Sequence, residues 1–252
     1  MKITAVVLTK NEEQNIQRCL KSIDFCDEII IVDDYSTDKT LEIIGKKYKV
    51  LQRKLNSDFA SQRNFGSSKA TNNWVLFIDA DEEIGSELKK EIILLSQNSN
   101  IKENAFYIKR RDFFWGKELK HGELSLIRHI GLIRLIRKDS GKWMGTVHEV
   151  FHTAVSVGRL NGFLNHYPHP SLKDFINDIN HYSSIRAEEL YNRGTKTDIL
   201  EIISFPFGKF IYNYFLSLGF LDGPAGFTYA FMMSFHSFLV RAKLYQLTKK
   251  HV

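Results

Sequence analysis

The chain of 252 residues is poor in cysteine, and it lacks two glycine-rich motifs that commonly bind the phosphates of nucleotides. Cys19 and Cys26 are its only cysteines. They are too few for a disulfide scaffold and lack metal-site spacing, which indicates a reducing compartment. Neither G-x-G-x-x-G after the first strand nor G-x-x-x-x-G-K-[ST] occurs, so a glycine loop that cradles phosphates is excluded. Residues 1–9 begin directly with a strand pattern before a polar helix, so we expect no signal peptide.

The composition is that of an ordinary globular protein with an uneven charge distribution. Hydrophobic residues make up 43% and charged residues 25%, and the net charge is +6. Residues 109–142 hold ten Lys or Arg against four Asp or Glu, so the positive excess is concentrated there. A basic surface favours an anionic partner, which could be a phosphorylated substrate, a membrane surface or nucleic acid.

Strand and helix patterns alternate four times in the first hundred residues. Asn11 is placed to cap the first helix, and Ser86 to cap the fourth. The alternation predicts a doubly wound α/β unit. The predicted strands are residues 2–9, 28–32, 50–53 and 74–78, and the third helix is predicted over residues 58–69.

Four acids follow the fourth predicted strand within five positions, from Asp79 to Glu83. Ligands of open parallel sheets bind at the carboxyl ends of the strands. Asp79 and Asp81 are two residues apart, so an extended backbone points both side chains the same way. Two carboxylates on one side suit Mg²⁺ or Mn²⁺. The alternative is a strand followed by a solvated acidic turn.

The pattern changes after residue 100, first to strands and then to helices. A turn is predicted at residues 158–162, and Ser171 with Asp174 three residues later opens a long helix that Gly194 ends. The predicted strands are residues 105–111, 131–137, 150–157 and 163–167.

From residue 199 the chain is aromatic and apolar. Residues 210–221 and 223–240 contain no Asp, Glu, Lys or Arg, although Pro224 and Gly226 weaken a membrane-spanning interpretation. We expect amphipathic helices that pack on the core and partly face a membrane surface. A purely internal helical cap is the alternative, and the sequence leaves both open.

Three ordered motifs resemble the family 2 glycosyltransferases. They are V-V-L-T-K-N-E at residues 6–12, I-V-D-D-Y-S-T-D at residues 31–38 and F-I-D-A-D-E at residues 77–82. Residues 143–149 and 219–223 resemble more narrowly the lipopolysaccharide-core β-glucosyltransferase subgroup.

The resemblance implies a GT-A fold, an α/β architecture with a mostly parallel sheet, plus a C-terminal helical extension. Residues 1–168 would form the catalytic domain, with residues 1–98 binding the nucleotide sugar and residues 99–168 the acceptor. Residues 169–252 would form the extension, which would meet a membrane or form an oligomer.

It also implies an inverting enzyme that transfers a hexose from a UDP-sugar. The acceptor would be an anionic glycan or a lipid-linked molecule of lipopolysaccharide or surface polysaccharide synthesis, and no nucleic acid would bind. The enzyme would be cytoplasmic, at the inner face of the cytoplasmic membrane.

The resemblance also assigns residues to the donor site. A carboxylate there would accept the uracil imide N–H in a charge-assisted hydrogen bond. Asp81 would bind Mn²⁺ or Mg²⁺, Asp79 the ribose or the metal, and His166 would be a third metal ligand. The nucleotide-sugar site would comprise Thr9, Glu12, Asp33, Asp34, Arg63, Asn64 and Asp79.

Inversion requires a base that takes the proton of the acceptor hydroxyl. Glu149 is the candidate, because it is the acid of the segment that matches the subgroup, and His148 would orient it or touch the diphosphate. Many family members use an Asp from an E-D pair, which is not found in the expected region.

The sequence leaves two alternative functions. Residues 148–152 have the pattern H-E-x-x-H of zinc peptidases, but those enzymes need this motif on a helix. The flanking residues have strand composition, and on a strand the two histidines would be about 13 Å apart. A non-catalytic nucleotide-sugar-binding protein is the other alternative, and the full set of acids argues against it.

Overall fold

The computed structural model describes residues 1–98, 100–145 and 149–250. It divides into two compact units: residues 1–111 with 127–167, and residues 112–126 with 168–252. The change of unit after Tyr167 lies one residue before the domain boundary predicted from the sequence. No pattern in the sequence predicted that residues 112–126 would belong to the same unit as the C-terminal helices.

Eleven strands and eight α-helices occur in the described residues. The strands are β1 (Ile3–Thr9), β2 (Glu28–Asp33), β3 (Lys49–Gln52), β4 (Trp74–Asp79), β5 (Glu82–Ile84), β6 (Ala105–Phe114), β7 (Lys117–Leu119), β8 (Leu132–Arg137), β9 (Lys142–Met144), β10 (Val150–His152) and β11 (Val157–His166). The helices are α1 (Ile16–Ser22), α2 (Thr40–Ile44), α3 (Phe59–Lys69), α4 (Ser86–Gln97), α5 (Ser125–Ile130), α6 (Leu172–Asn192), α7 (Ile199–Ile211) and α8 (Gly223–Lys250).

The first unit is built on a mixed sheet with strand order β3-β2-β1-β4-β8-β6-β11-β5. Strands β3, β2, β1 and β4 are parallel to one another, as the strand–helix alternation predicts. Strand β8 pairs antiparallel with both β4 and β6, and β11 pairs antiparallel with β5. The predicted α/β fold class, with a C-terminal helical extension, is confirmed.

The central strands are buried on both faces because helices cover the sheet on each side. Every residue of β1 is buried. Alternate residues of a strand point to opposite faces, so Val7 packs in one apolar cluster with Leu88 of α4. Its neighbour Val6 packs in another cluster with Ala60 of α3. This two-sided cover fits the doubly wound arrangement expected from the sequence.

Two predictions about turns and strands are wrong for identifiable physical reasons. Residues 158–162 form no turn but belong to β11. A Cβ on Gly162 would lie 2.4 Å from the Cα of Leu88, so this glycine permits close strand–helix packing. Residues 150–157 are not one strand, since β10 ends at His152.

Two predicted helix caps are also wrong. Asn11 does not cap α1; its side chain accepts from the backbone N–H of Thr37. Ser86 does not cap α4, because it is already the first residue of that helix and the residue before it is Gly85.

The second unit is mainly helical. Its buried cluster joins Phe114 of β6 and Phe175 and Ile179 of α6 to Met232 of α8. As predicted, the Ser171 side chain caps α6 by accepting from the backbone N–H of Asp174. A π-helical turn over Tyr212–Leu216 and a 3-10 turn over Gly219–Asp222 connect α7 to α8.

In the part of the chain that the structure describes, no helix is both long enough and apolar enough to cross a bilayer.

Candidate active site

Strand register brings the carboxyl ends of three parallel strands, two of which end in an acid, to one edge of the sheet. Thr9 at the end of β1 is paired with Asp33 at the end of β2. Leu8, one residue earlier, is paired with Asp79 at the end of β4. The motifs at residues 6–12, 31–38 and 77–82 therefore converge on the carboxyl ends of neighbouring strands, where ligands of such sheets bind.

Asp33, the last residue of β2, and Asp34, which follows it, accept hydrogen bonds from their own loop and from neighbouring segments. Asp33 is fully buried and accepts from the Ser36 hydroxyl at 2.5 Å and from Gln52 Nε2 at 3.2 Å. Asp34 accepts from Lys10 Nζ at 2.7 Å and from the backbone N–H of Leu55 at 3.0 Å. These contacts fix both carboxylates at the sheet edge.

Glu12 and Thr9, the two candidates from the first motif, differ in their hydrogen bonds. Glu12 accepts from Asn15 Nδ2 at 2.8 Å. Thr9 is buried, and no described residue forms a hydrogen bond with its hydroxyl. A buried hydroxyl without a partner is costly, so Thr9 is a group that a bound ligand would satisfy.

Helix α3 carries Arg63 to the same edge. Gly66 allows the close approach of the helix, since a Cβ there would lie 2.3 Å from Cγ1 of Val6. Arg63 is 2% exposed, so the helix places this arginine in the interior and not on its solvent side. Its Nε donates to Glu149 at 2.8 Å, and its terminal nitrogen donates to Asp79 at 3.0 Å. The other terminal nitrogen is buried and bonds to no described residue.

Asn64, the next residue of α3, is bound to the backbone of the β9–β10 hairpin. Its amide donates to the carbonyl of Trp143 at 2.9 Å and accepts from the Trp143 N–H at 3.1 Å. Phe151 of β10 pairs with Trp143, and Glu149 directly precedes β10. Asn64 therefore helps to set the position of Glu149.

Two buried charged residues at the site were not identified from the sequence. Arg134 of β8 donates to Asp79 and to Glu82, each at 2.9 Å. Glu82 is 1% exposed and accepts the backbone N–H of Asp79 at 2.9 Å. The available signal was a lone arginine in the otherwise apolar core of β8, because a buried arginine needs an acidic partner.

The charges of this cluster shift one another's pKa. Burial alone would raise the pKa of Asp79, but the guanidinium groups of Arg134 and Arg63 hold it well below its ordinary value. Burial raises the pKa of Glu82, and the Asp79 charge adds to this despite the opposing charge of Arg134. Asp79 is therefore firmly ionised and paired with two arginines.

Asp81 and His166 form a separate pair beside this cluster. His166 Nε2 lies 3.2 Å from Asp81 Oδ2. Burial opposes ionisation of Asp81, but His166 lowers its pKa below the ordinary value. Asp81 Oδ1 is buried and receives no hydrogen bond from the described residues. These residues contain no group of three or more His, Cys, Asp or Glu placed to hold a metal, so any cation here would have at most two such ligands.

The candidate base and the rival peptidase motif share one hairpin. The side chain of Glu149 contacts Arg63, whereas His148 lies outside the residues that the structure describes. The residues from Val150 to His152 form a strand, not the helix that an H-E-x-x-H zinc site requires. The peptidase alternative is therefore wrong.

Comparisons with known proteins agree with the motifs. The model described as Glycosyl transferase family 2 matches residues 4–143. An uncharacterized glycosyltransferase of Rickettsia typhi is 32% identical, over 99% of this chain and 88% of its own length. The lipopolysaccharide core biosynthesis glycosyltransferase LpsC of Rhizobium meliloti is 27% identical, over 97% of this chain and 92% of its own.

A distant likeness is found to the crystal structure of S. aureus TarS 1-349 in complex with UDP-GlcNAc. It is 15% identical and covers 100% of this chain and 92% of that chain, with a TM-score of 0.47. The family model alone matches more than half of this chain, and the relative from Rickettsia typhi matches nearly all of it. The chain therefore belongs to glycosyl transferase family 2.

Proposed function

We propose that this glycosyltransferase moves a hexose, with inversion, from a UDP-sugar to a glycan acceptor of lipopolysaccharide or surface polysaccharide. The observation that carries the proposal is the bridge formed by Arg63, which contacts Asp79 at the donor end of β4 and Glu149 on the hairpin. One guanidinium thus joins a donor-site acid to the candidate base. The relative LpsC, by name an enzyme of lipopolysaccharide core biosynthesis, supports the acceptor class.

The nucleoside would bind at the ends of β1 and β2. Thr9 offers a buried hydroxyl, and Asp33 and Asp34 are carboxylates already fixed at the edge. A fixed carboxylate accepts the uracil imide N–H without further ordering of the side chain. Glu12, after β1, would border the same pocket. The second buried terminal nitrogen of Arg63 would donate to the diphosphate or ribose.

Asp81 and His166 fit a divalent cation. The buried Oδ1 of Asp81 has an unused acceptor, and a neutral His166 would supply a nitrogen from 3.2 Å away. Mg²⁺ and Mn²⁺ sites commonly combine one or two protein ligands with substrate phosphates and waters. When bound, the cation would neutralise charge on the departing diphosphate as a Lewis acid. Asp79, paired with two arginines, would serve the ribose or the outer part of this site.

Glu149 would act as the general base. The acceptor hydroxyl oxygen forms a bond to the anomeric carbon while the bond from that carbon to the diphosphate breaks on the opposite face, which inverts the configuration. The hydroxyl proton passes to Glu149, and UDP leaves. Arg63 fixes the orientation of this carboxylate, Asn64 anchors its hairpin, and His148 would support it from the preceding position.

A donor panel tests the proposal. Purified protein with Mn²⁺ or Mg²⁺ should release UDP slowly from one UDP-hexose in water, and faster when a matching lipopolysaccharide-core acceptor is added. A protein that binds UDP-sugars tightly but never releases UDP would instead be a non-catalytic binding module. Release of another nucleoside diphosphate would overturn the uridine assignment.

A further inference from the structure

Helix α7 presents its apolar side chains to solvent. None of its 13 residues, all of which the structure describes, is buried. Ile199, Leu200, Ile203 and Phe207 are each at least 66% exposed. A helix of this composition normally gains its stability by burying an apolar face, so α7 has the composition of a helix that is covered when the protein works.

Helix α8 adds a stripe of phenylalanines to this surface. Phe227, Phe231, Phe235 and Phe238 recur every three or four residues, which places them on one side of the helix. All four are at least 36% exposed.

The two helices lie side by side in antiparallel orientation. The Ser234 hydroxyl donates to the Pro206 carbonyl at 2.6 Å, and the rings of Phe210 and Phe227 are 5.8 Å apart. The exposed sides of α7 and α8 therefore adjoin and form one surface, here called the α7/α8 face.

The α7/α8 face has almost no available charge. Residues 202–240 contain just two Asp, Glu, Lys or Arg residues. Lys209 lies 3.1 Å from Glu123. Asp222 is buried and accepts the backbone N–H groups of Lys120 and His121 at 2.9 Å. Apolar patches of this kind mark sites that bind a protein or a membrane.

The basic residues near the face are engaged within the same unit. Lys243 Nζ donates to the Asn180 carbonyl and to the Ser183 and Ser184 hydroxyls. Arg241 stacks 4.0 Å from the Phe205 ring centre. These contacts leave the exposed hydrocarbon side chains as the main groups of the face that can bind a partner.

We propose that the α7/α8 face binds the surface of a lipid bilayer by inserting its apolar side chains between the lipid headgroups. The inference rests on the proposed function, in which the acceptor is lipid-linked. An interfacial helix needs one broad apolar side and does not need the length to span the bilayer.

The composition of the face favours a bilayer over a second copy of the chain. A stable protein–protein interface carries about one hydrogen bond per 100–200 Å² of buried surface. The exposed residues of the face are mainly Ile, Leu and Phe, and the two charged residues of 202–240 already contact neighbouring groups. The face therefore offers few groups for hydrogen bonds to a partner chain, whereas insertion between lipid headgroups requires none.

Vesicle flotation with matched variants tests this. The full chain should float with vesicles of phosphatidylethanolamine and phosphatidylglycerol at low and at high salt. Ile203→Glu and Phe207→Glu should each lower the bound fraction about tenfold, since each replaces an apolar side chain that would insert into the bilayer by a charge. Leu94→Glu is the control, because Leu94 of α4 is 67% exposed, as Ile203 is 66% exposed, yet lies in the other unit.

Three outcomes would overturn the proposal. The wild-type chain could fail to float with any vesicle, or the Leu94 variant could lose as much binding as the α7 variants. Light scattering could instead show a stable dimer that Phe207→Glu separates, which would make a second copy the occupant. UDP release measured without vesicles should be unchanged in all variants. If no variant or wild type releases UDP, the proposed function fails independently of the vesicle result.

Discussion

Arg63 and Glu149 are 86 residues apart in the chain, and their side chains meet at 2.8 Å. The contact joins helix α3 to the hairpin that carries the candidate base. Neither residue is more than 14% exposed in its side chain. Because Arg63 also contacts Asp79, the chemistry of the proposed site depends on a small number of buried charge pairs.

Asp81→Asn should abolish most activity while leaving the protein folded. The change removes the negative charge that would hold the cation but keeps the size of the side chain, so Mn²⁺-dependent UDP binding should fall with it. Calorimetric UDP titration with Mn²⁺ and with EDTA provides the measurement. Asp139→Asn, on an exposed turn, should match wild type. Full wild-type activity in EDTA would remove the metal from the mechanism.

Arg134→Leu should destabilise the protein by roughly 3–5 kcal/mol, because Asp79 and Glu82 would lose a buried counter-ion. The free energy of unfolding in urea is compared with that of Arg137→Leu. Arg137 is exposed on the same strand, so its replacement should cost about 1 kcal/mol or less. Equal losses for the two variants would show that the buried pairs add no special stability.

Gly66→Ala should lower both stability and activity. A Cβ at residue 66 would meet Val6 at 2.3 Å, so α3 must shift and move Arg63. Overpacking of this kind costs about 1–3 kcal/mol. Gly208→Ala is the matched helical control, with nothing within 4 Å of the added Cβ, and should be neutral or stabilising. A Gly66 variant that unfolds like wild type would contradict the close packing.

Both thiols should be unreactive in the folded protein. Burial, with the charges of Asp27 and Asp24, raises the pKa of Cys26 to about 12, and burial raises that of Cys19 as well. Only the thiolate attacks alkylating reagents, so iodoacetamide at pH 8 should label neither cysteine quickly. In urea both should react at ordinary rates. Rapid native labelling of Cys26 would refute the environment described for it.

Much of the fold follows from local patterns. Buried strands such as β1 and β4 are continuous apolar runs, and their acids necessarily follow at the sheet edge. The turn predicted at residues 158–162 is wrong, because Gly162 permits a close strand–helix contact with Leu88 and does not form a turn. That contact joins distant segments and has no signature in a short window.

Part of the candidate site could be predicted from the sequence. The position of Asp79 follows from the strand that ends there, and Glu149 was found through the family resemblance. The extended backbone predicted through Asp81 is wrong, because β4 ends at Asp79 and Asp81 lies on the turn that follows. Arg134 and Glu82 were missed, because their importance arises from mutual burial across β8 and the end of β4. Likewise, the engagement of Asn64 by the Trp143 backbone depends on how α3 packs against the hairpin.

The most direct test of the central claim is the activity of Glu149→Gln. The amide keeps the shape of the side chain but cannot take a proton, so UDP-sugar affinity should be retained while kcat falls by roughly 10² to 10⁴. Glu42→Gln, on the exposed side of α2, is the control. Retained binding with this loss of turnover would support Glu149 as the base. A kcat near that of wild type would contradict the account and place the base elsewhere.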